Sequence, residues 1–192
     1  MSALLLSNGY AAHDPGGKVR LRMLPDMTGG AEISPCGRYR PVLYRQWGVD
    51  NDCAPYSLFV GMNPSTADAH DDDPTIRREI GFSKRLGVGC YVKVNVADYR
   101  ATDPRALLVP GVEPRSPDNL AQIMAKAHGA TWVILAFGAL KGRMREMAEE
   151  TVSLLKQHRI PLHCLGVTAD GSPRHPLYLR GDANLIEWKG WH

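Results

Sequence analysis

Tyr56-Ser57-Leu58-Phe59-Val60, followed by Gly61-Met62-Asn63-Pro64-Ser65-Thr66-Ala67-Asp68, decides the reading of the fold. The first five residues are a short apolar run ending in Gly61, as a buried parallel strand does where it enters a loop. Asp73-Pro74 then starts a helix, with an N-cap residue and a proline in the first turn. Ile76, Ile80 and Leu86 give that helix an apolar face, and Gly87 stops it. Outward from there the pattern repeats. Cys90 to Val96 reads as a second buried strand, and Ser116-Pro117-Asp118 opens a helix whose Leu120, Ile123, Met124 and Ala127 form one stripe. Thr131 to Phe137 is a third strand, Leu140 to Gln157 a third helix and Pro161 to Gly166 a fourth strand. The order β-α-β-α-β-α-β predicts right-handed crossovers and a three-layer α/β fold: a central, mostly parallel sheet with helices on both faces.

Upstream, residues 1–37 mix glycine, proline and polar residues and read as an irregular arm, with Val19 to Leu24 as an edge strand. Arg38 to Trp47 alternates basic with aromatic or aliphatic residues, as a half-exposed strand does, and Pro41 puts it at a sheet edge. No repeat or linker divides the chain, so the 192 residues are read as one domain, an arm (1–37) and a core (38–192). An apolar share of 44% and a charged share of 22% sit close to the globular average and favour neither a disordered nor a membrane class. The opening Met1 to Leu6 is too short an apolar run for a secretory signal, so a cytoplasmic protein is expected. Cys36, Cys53, Cys90 and Cys164 are too scattered for a zinc or iron-sulfur site and read as free thiols. A net charge of +3 tolerates a polyanionic partner without requiring one.

Ligands of open parallel sheets bind beside the carboxyl ends of the strands. Asn63, Asn95, Gly138 and His175 each follow or end a strand, so four loops are expected to converge on one crevice. The loop from Gly61 to Ser65, Asn95, Phe137-Gly138-Ala139 and His175-Pro176-Leu177-Tyr178 together resemble the motifs of the uracil-DNA glycosylase superfamily, over roughly residues 56–180. The longer strings Gly61 to Asp68 and His175 to Tyr178 look like an uncharacterised bacterial and viral family. Ser65 departs from the aromatic or glycine that the superfamily's loop carries, and the late loop lacks a serine after its proline.

The resemblance implies a uracil-DNA glycosylase-like fold and hydrolysis of an N-glycosidic bond in DNA. His175 would donate to the base oxygen as charge develops there. Asn63 would position water, and Asp68 is the nearest carboxylate for a general base. Met62, Ser65, Thr66, Asn95 and Asp71 would surround the flipped base, Asn95 reading its Watson-Crick edge. Leu177 or Tyr178 would fill the gap in the stack, and Arg174 and Arg180 would hold phosphates. The small Ser65 and Thr66 would leave the pyrimidine C5 position open. That favours a 5-substituted base, hydroxymethylated or glucosylated as in some bacteriophage DNA, hence an antiviral enzyme. Uracil or mismatch repair is the plainer alternative. The expected partner is DNA, with no cofactor, no metal, no membrane and no obligate protein partner.

Two rival readings stay open. The aspartates Asp68, Asp71, Asp72 and Asp73 would suit a metal-dependent nucleotide hydrolase, although Asp73 also reads as a helix cap. Arg38, Arg40 and Arg45, interleaved with Tyr39, Tyr44 and Trp47, would suit a non-catalytic nucleic-acid platform. Arg77, Arg78, Lys84 and Arg85 read as the solvated face of the first helix.

Overall fold

The computed structural model describes residues 20–47, 55–65 and 67–192. In chain order the elements are β1 (Leu21–Arg22), β2 (Thr28–Glu32), β3 (Val42–Gln46), β4 (Tyr56–Gly61), β5 (Asp71–Asp72), α1 (Pro74–Arg85), β6 (Cys90–Asn95), α2 (Asn119–Gly129), β7 (Trp132–Leu135), α3 (Gly142–Gln157), β8 (Leu162–Cys164) and β9 (Ile186–Glu187). One sheet runs β2-β3-β6-β4-β7-β8-β9, and β1 and β5 form a separate pair.

The apolar runs become strands where expected, because a run without alternation must be covered on both faces. Phe59, Tyr91 and Ile134 pack with Ile76, Ile80 and Phe82 of α1. Leu58, Val60, Val92 and Val94 pack with Ile123 of α2 and with Met147, Val152 and Leu155 of α3. Asp73 caps α1 as its sequence suggests, its Oδ1 accepting from the Ile76 N–H at 2.9 Å.

The sheet direction is corrected. β6, β4, β7 and β8 are parallel neighbours, but β2 with β3, β3 with β6, β8 with β9 and β1 with β5 are antiparallel. Of seven strand pairings among the described residues, four are therefore antiparallel and three parallel. The mostly parallel three-layer sheet of the uracil-DNA glycosylase kind is not the fold found; the sheet is mixed. An apolar run reports burial, which parallel and central antiparallel strands share, and not strand direction.

The N-terminal reading changes for a related reason. β3 is interior, flanked by β2 and β6, and Pro41 merely precedes it. β2 contains Gly29 and Gly30, which read as chain breakers. A Cβ on Gly29 would stand 2.6 Å from the Tyr44 carbonyl oxygen and 2.7 Å from Cδ of Arg45, so glycine is what lets β2 lie over Arg45. Of the arm, residues 1–19 lie outside the described residues. The free-thiol reading holds for exposed Cys36 and buried Cys164 but fails at Cys90, which is disulfide-bonded; Cys53 is outside the described residues. Among the described residues no helix is long and apolar enough to cross a membrane.

Candidate functional site

The loop after β4 is sewn to the segment after β6. Val96 N–H donates to the Gly61 carbonyl and Ala97 N–H to that of Met62, both at 2.9 Å, so the parallel ladder continues past the strand ends. Ala101 N–H donates to the Pro64 carbonyl at 2.9 Å. Asn63 closes the join, its Nδ2 donating to the carbonyls of Ala101 (2.7 Å) and Pro64 (3.0 Å). The amide nitrogen is thereby committed to the loop, and Oδ1 is the atom left for a ligand.

Beside this join opens a cavity of about 700 Å³, within the usual range for small-molecule sites. Met62, Asn63 and Ser65 line it from the β4 loop, Phe137 to Leu140 from the turn after β7, and Arg174, His175, Leu177 and Tyr178 from the late loop. The start of α1 closes another side with Asp73, Thr75 and Ile76. Gly138 has φ +78°, a left-handed conformation suited to glycine, and turns the chain beneath His175.

His175 caps a short 3-10 turn over Pro176–Tyr178, its Nδ1 accepting from the Leu177 N–H at 3.3 Å. In the neutral ring the proton is then on Nε2, which makes Nε2 the donor. Leu177 is 40% and Tyr178 82% exposed, so both stand at the cavity's mouth. The turn is fixed to α1 by Arg78, which donates to the Leu179 carbonyl, while Arg85 donates to the Gly181 carbonyl. Arg77 pairs with Asp72 at 2.5 Å. These three arginines are clamps on neighbouring chain rather than a solvated face.

Other expected members do not converge here. Asn95 ends β6 with both amide atoms buried and without a hydrogen-bond partner among the described residues, but it does not line the cavity. Asp68 and Asp71 lie off the cavity. Asp68 Oδ1 accepts from the N–H groups of His70 (2.9 Å) and Asp71 (3.0 Å). Burial pushes the Asp68 carboxyl up, but those two bonds and the nearby Arg20 charge more than offset it. The carboxyl is held below its ordinary range, the wrong direction for a general base. Arg180 is also away from the cavity and is paired with Asp182 at 2.9 Å. Thr66 lies outside the described residues.

Both rival readings lose their footing. Asp72 is buried between Arg45 and Arg77, Asp73 caps α1 and Asp68 ties its own loop, so these carboxylates are already occupied. Among the described residues no group of three or more His, Cys, Asp or Glu is placed to hold a metal ion. The proposed basic-aromatic platform is also undone, since Arg40 and Arg45 are buried. Arg40 donates to the Ala67 carbonyl and Arg45 to those of Asp68 (2.6 Å) and Asp71 (3.1 Å), so the two hold the 67–71 loop from beneath.

Among the cavity residues that sequence reasoning did not place there are two buried cations, Arg40 and Lys93. Lys93 pairs with Glu79 at 2.6 Å, and the Tyr91 hydroxyl donates to the same carboxylate at 2.5 Å. The signal was there: a lysine amid Cys-Tyr-Val-Lys-Val-Asn, and a glutamate three residues after Ile76 on the apolar face of α1, are both out of place in buried elements.

No curated protein and no solved structure matches the chain. A family model described as a protein of unknown function, DUF1643, matches residues 38–177. That span takes in β3 through Leu177, and with it every cavity residue singled out above except Tyr178, and the chain belongs to the DUF1643 family.

Proposed function

We propose that the protein is a DNA glycosylase that releases a flipped pyrimidine and leaves an abasic site. The observation that carries this reading is one cavity lined by the Asn63 amide and the His175 ring, with Leu177 and Tyr178 exposed at its mouth. Breaking an N-glycosidic bond builds positive charge on the sugar and negative charge on the base. A fixed donor aimed at the base oxygen lowers that barrier, and Nε2 of His175 is suited to the task. With Asp68 turned to its own loop, Asn63 Oδ1 is the group suited to orient water. Leu177 or Tyr178 takes the place of the extruded base.

The favoured substrate is a 5-substituted pyrimidine bearing hydroxyls. The cavity has room beyond a bare pyrimidine ring, and Ser65 Oγ on its wall is buried without a partner among the described residues. Thr102 and Thr168 also line the cavity. A buried hydroxyl left unpaired costs about 1–3 kcal/mol, which a hydroxylated substituent would relieve and a bare C5–H would not. The test compares matched DNAs carrying uracil, mismatched thymine, hydroxymethylcytosine and glucosylated hydroxymethylcytosine, with alkali cleavage revealing abasic sites. The hydroxylated bases are expected to leave fastest, and Ser65→Tyr to slow them selectively. Fastest release of uracil, unchanged by Ser65→Tyr, would mean ordinary repair; no abasic site from any DNA would end the glycosylase reading.

DNA affinity is expected to fall with added salt, because phosphate contacts release counterions. Arg174 is exposed beside the cavity, and Arg174→Ala should reduce the slope of log affinity against log salt by about one. Arg180→Ala should leave the slope nearly unchanged, since Asp182 already neutralises that side chain. Fluorescence anisotropy across a salt series decides it, and equal effects of the two variants would discard the distinction.

A further inference from the structure

Lys93 is the one charge within β6, a strand buried along its whole length. It is 5% exposed, yet it lines the cavity, and Glu79, its ion-pair partner, does not. The ammonium is therefore the near charge and the carboxylate the far one. An ammonium has three donors, and Glu79 takes one of them. Gly61 makes the space: a Cβ there would fall 2.7 Å from Lys93 Nζ and 2.8 Å from Asn95 Oδ1. Arg40 supplies a second buried cation on the cavity wall, 2% exposed, with its Nε lacking a hydrogen-bond partner among the described residues. Burial lowers the Arg40 guanidinium to about 10, which leaves it charged at neutral pH. Unpaired buried polar atoms are rare in folded proteins, and among the described residues Arg40 Nε and Ser65 Oγ, both of residues lining the cavity, and both amide atoms of Asn95, at the end of the strand that carries Lys93, are unpaired.

We propose that Lys93 and Arg40 form a cationic subsite for an ionised pyrimidine, the form in which a base leaves a glycosidic bond. The choice of a pyrimidine rests on the glycosylase reading. In that reaction the C1′–N1 bond breaks with both electrons moving to the base, whose negative charge spreads over the ring nitrogen and carbonyl oxygens. The sugar cation bonds a water oxygen, the surplus water proton passes to solvent, and the base takes up a proton from solvent. A fixed ammonium and guanidinium on the cavity wall favour the charged base over the neutral one. Glu79, gripped by Tyr91 and Lys93, is a positioning residue that holds the ammonium in place.

The test uses the whole protein and two probes, uracil and 5-nitrouracil, the latter an anion in mildly alkaline buffer where uracil is neutral. Calorimetric titration is expected to show tighter binding of 5-nitrouracil, by about tenfold or more. The Lys93→Met/Glu79→Gln double variant keeps the buried pair neutral and should erase that preference, while Lys93→Arg retains it; melting curves report folding for each. A wild-type protein without the preference, or a double variant that keeps it, overturns the proposal. Single-turnover base release separates this from the glycosylase reading. Release slowed about tenfold in the double variant, with DNA affinity intact, supports the subsite. Release at the wild-type rate in that variant overturns the subsite and leaves the glycosylase standing. Lys93-dependent binding of the anion without base release from any DNA supports the subsite and ends the glycosylase reading.

Discussion

His175→Ala is expected to slow base release by ~100-fold or more, the scale seen when a fixed donor to developing negative charge is removed. The fold should survive, because His175 sits half-exposed on a loop and its Nδ1 bond to the Leu177 N–H closes only a three-residue turn. The geometry sharpens the expectation beyond loss of function. Because Nδ1 accepts from backbone, the donor is Nε2 of the neutral ring, so activity should not require a protonated imidazole. His175→Gln offers an N–H donor without titrating and should recover part of the lost rate; His175→Ala should not. Asn63→Ala should also reduce release, and its loop will loosen because the bonds to Ala101 and Pro64 are lost. Single-turnover rates and melting temperatures for the three variants give the answer. If His175→Ala turns over at the wild-type rate, the donor role is wrong; if it fails to fold, His175 belongs to the architecture.

The parts of this site that were legible in the sequence share one property: they are local. Asp73 caps α1 through a bond to a residue three positions on, and Gly61 closes the apolar run of β4 that precedes it in the sequence. The motif loops of Asn63 and His175 were found because each follows a strand that its own apolar run announces. What was not legible depends on partners brought from afar. β3 alternates, and alternation tells that a strand has two faces without telling which one is covered. The basic face was assigned to solvent, but Arg45 lies inside because Asp72, 27 residues on, meets it there. The aspartates drew a metal reading for the same reason, since their arginine partners come from other elements. Strand direction was illegible as well, because β3 adds antiparallel to β6 and β2 antiparallel to β3, by connections that leave no mark on the periodicity of either strand.

That buried arginine is also where the largest loss of stability should appear. Arg45 is fully buried and its N–H groups are all used. Nε meets Asp72 at 2.8 Å, and the terminal nitrogens donate to the carbonyls of Gly30, Tyr44, Asp68 and Asp71. Arg45→Met fits a straight side chain into the same space but strands the equally buried Asp72 with only Arg77, itself partly exposed. Breaking a buried pair from one side costs roughly 3–5 kcal/mol, most of it from the carboxylate left behind. Arg180→Ala, which removes a largely exposed pair, should leave stability nearly unchanged. Adding Asp72→Asn to Arg45→Met removes the stranded charge, so the double variant should lose clearly less than the sum of the two single losses. Urea titrations give all of these values. The same bonds hold the 67–71 loop under Ser65, so Arg45→Met should weaken the cavity wall too, and substrate binding should suffer at temperatures where the variant is still folded. A loss near that of Arg180→Ala would mean that water replaces the guanidinium at no cost, and that the loop is held by Arg40 and its backbone bonds alone.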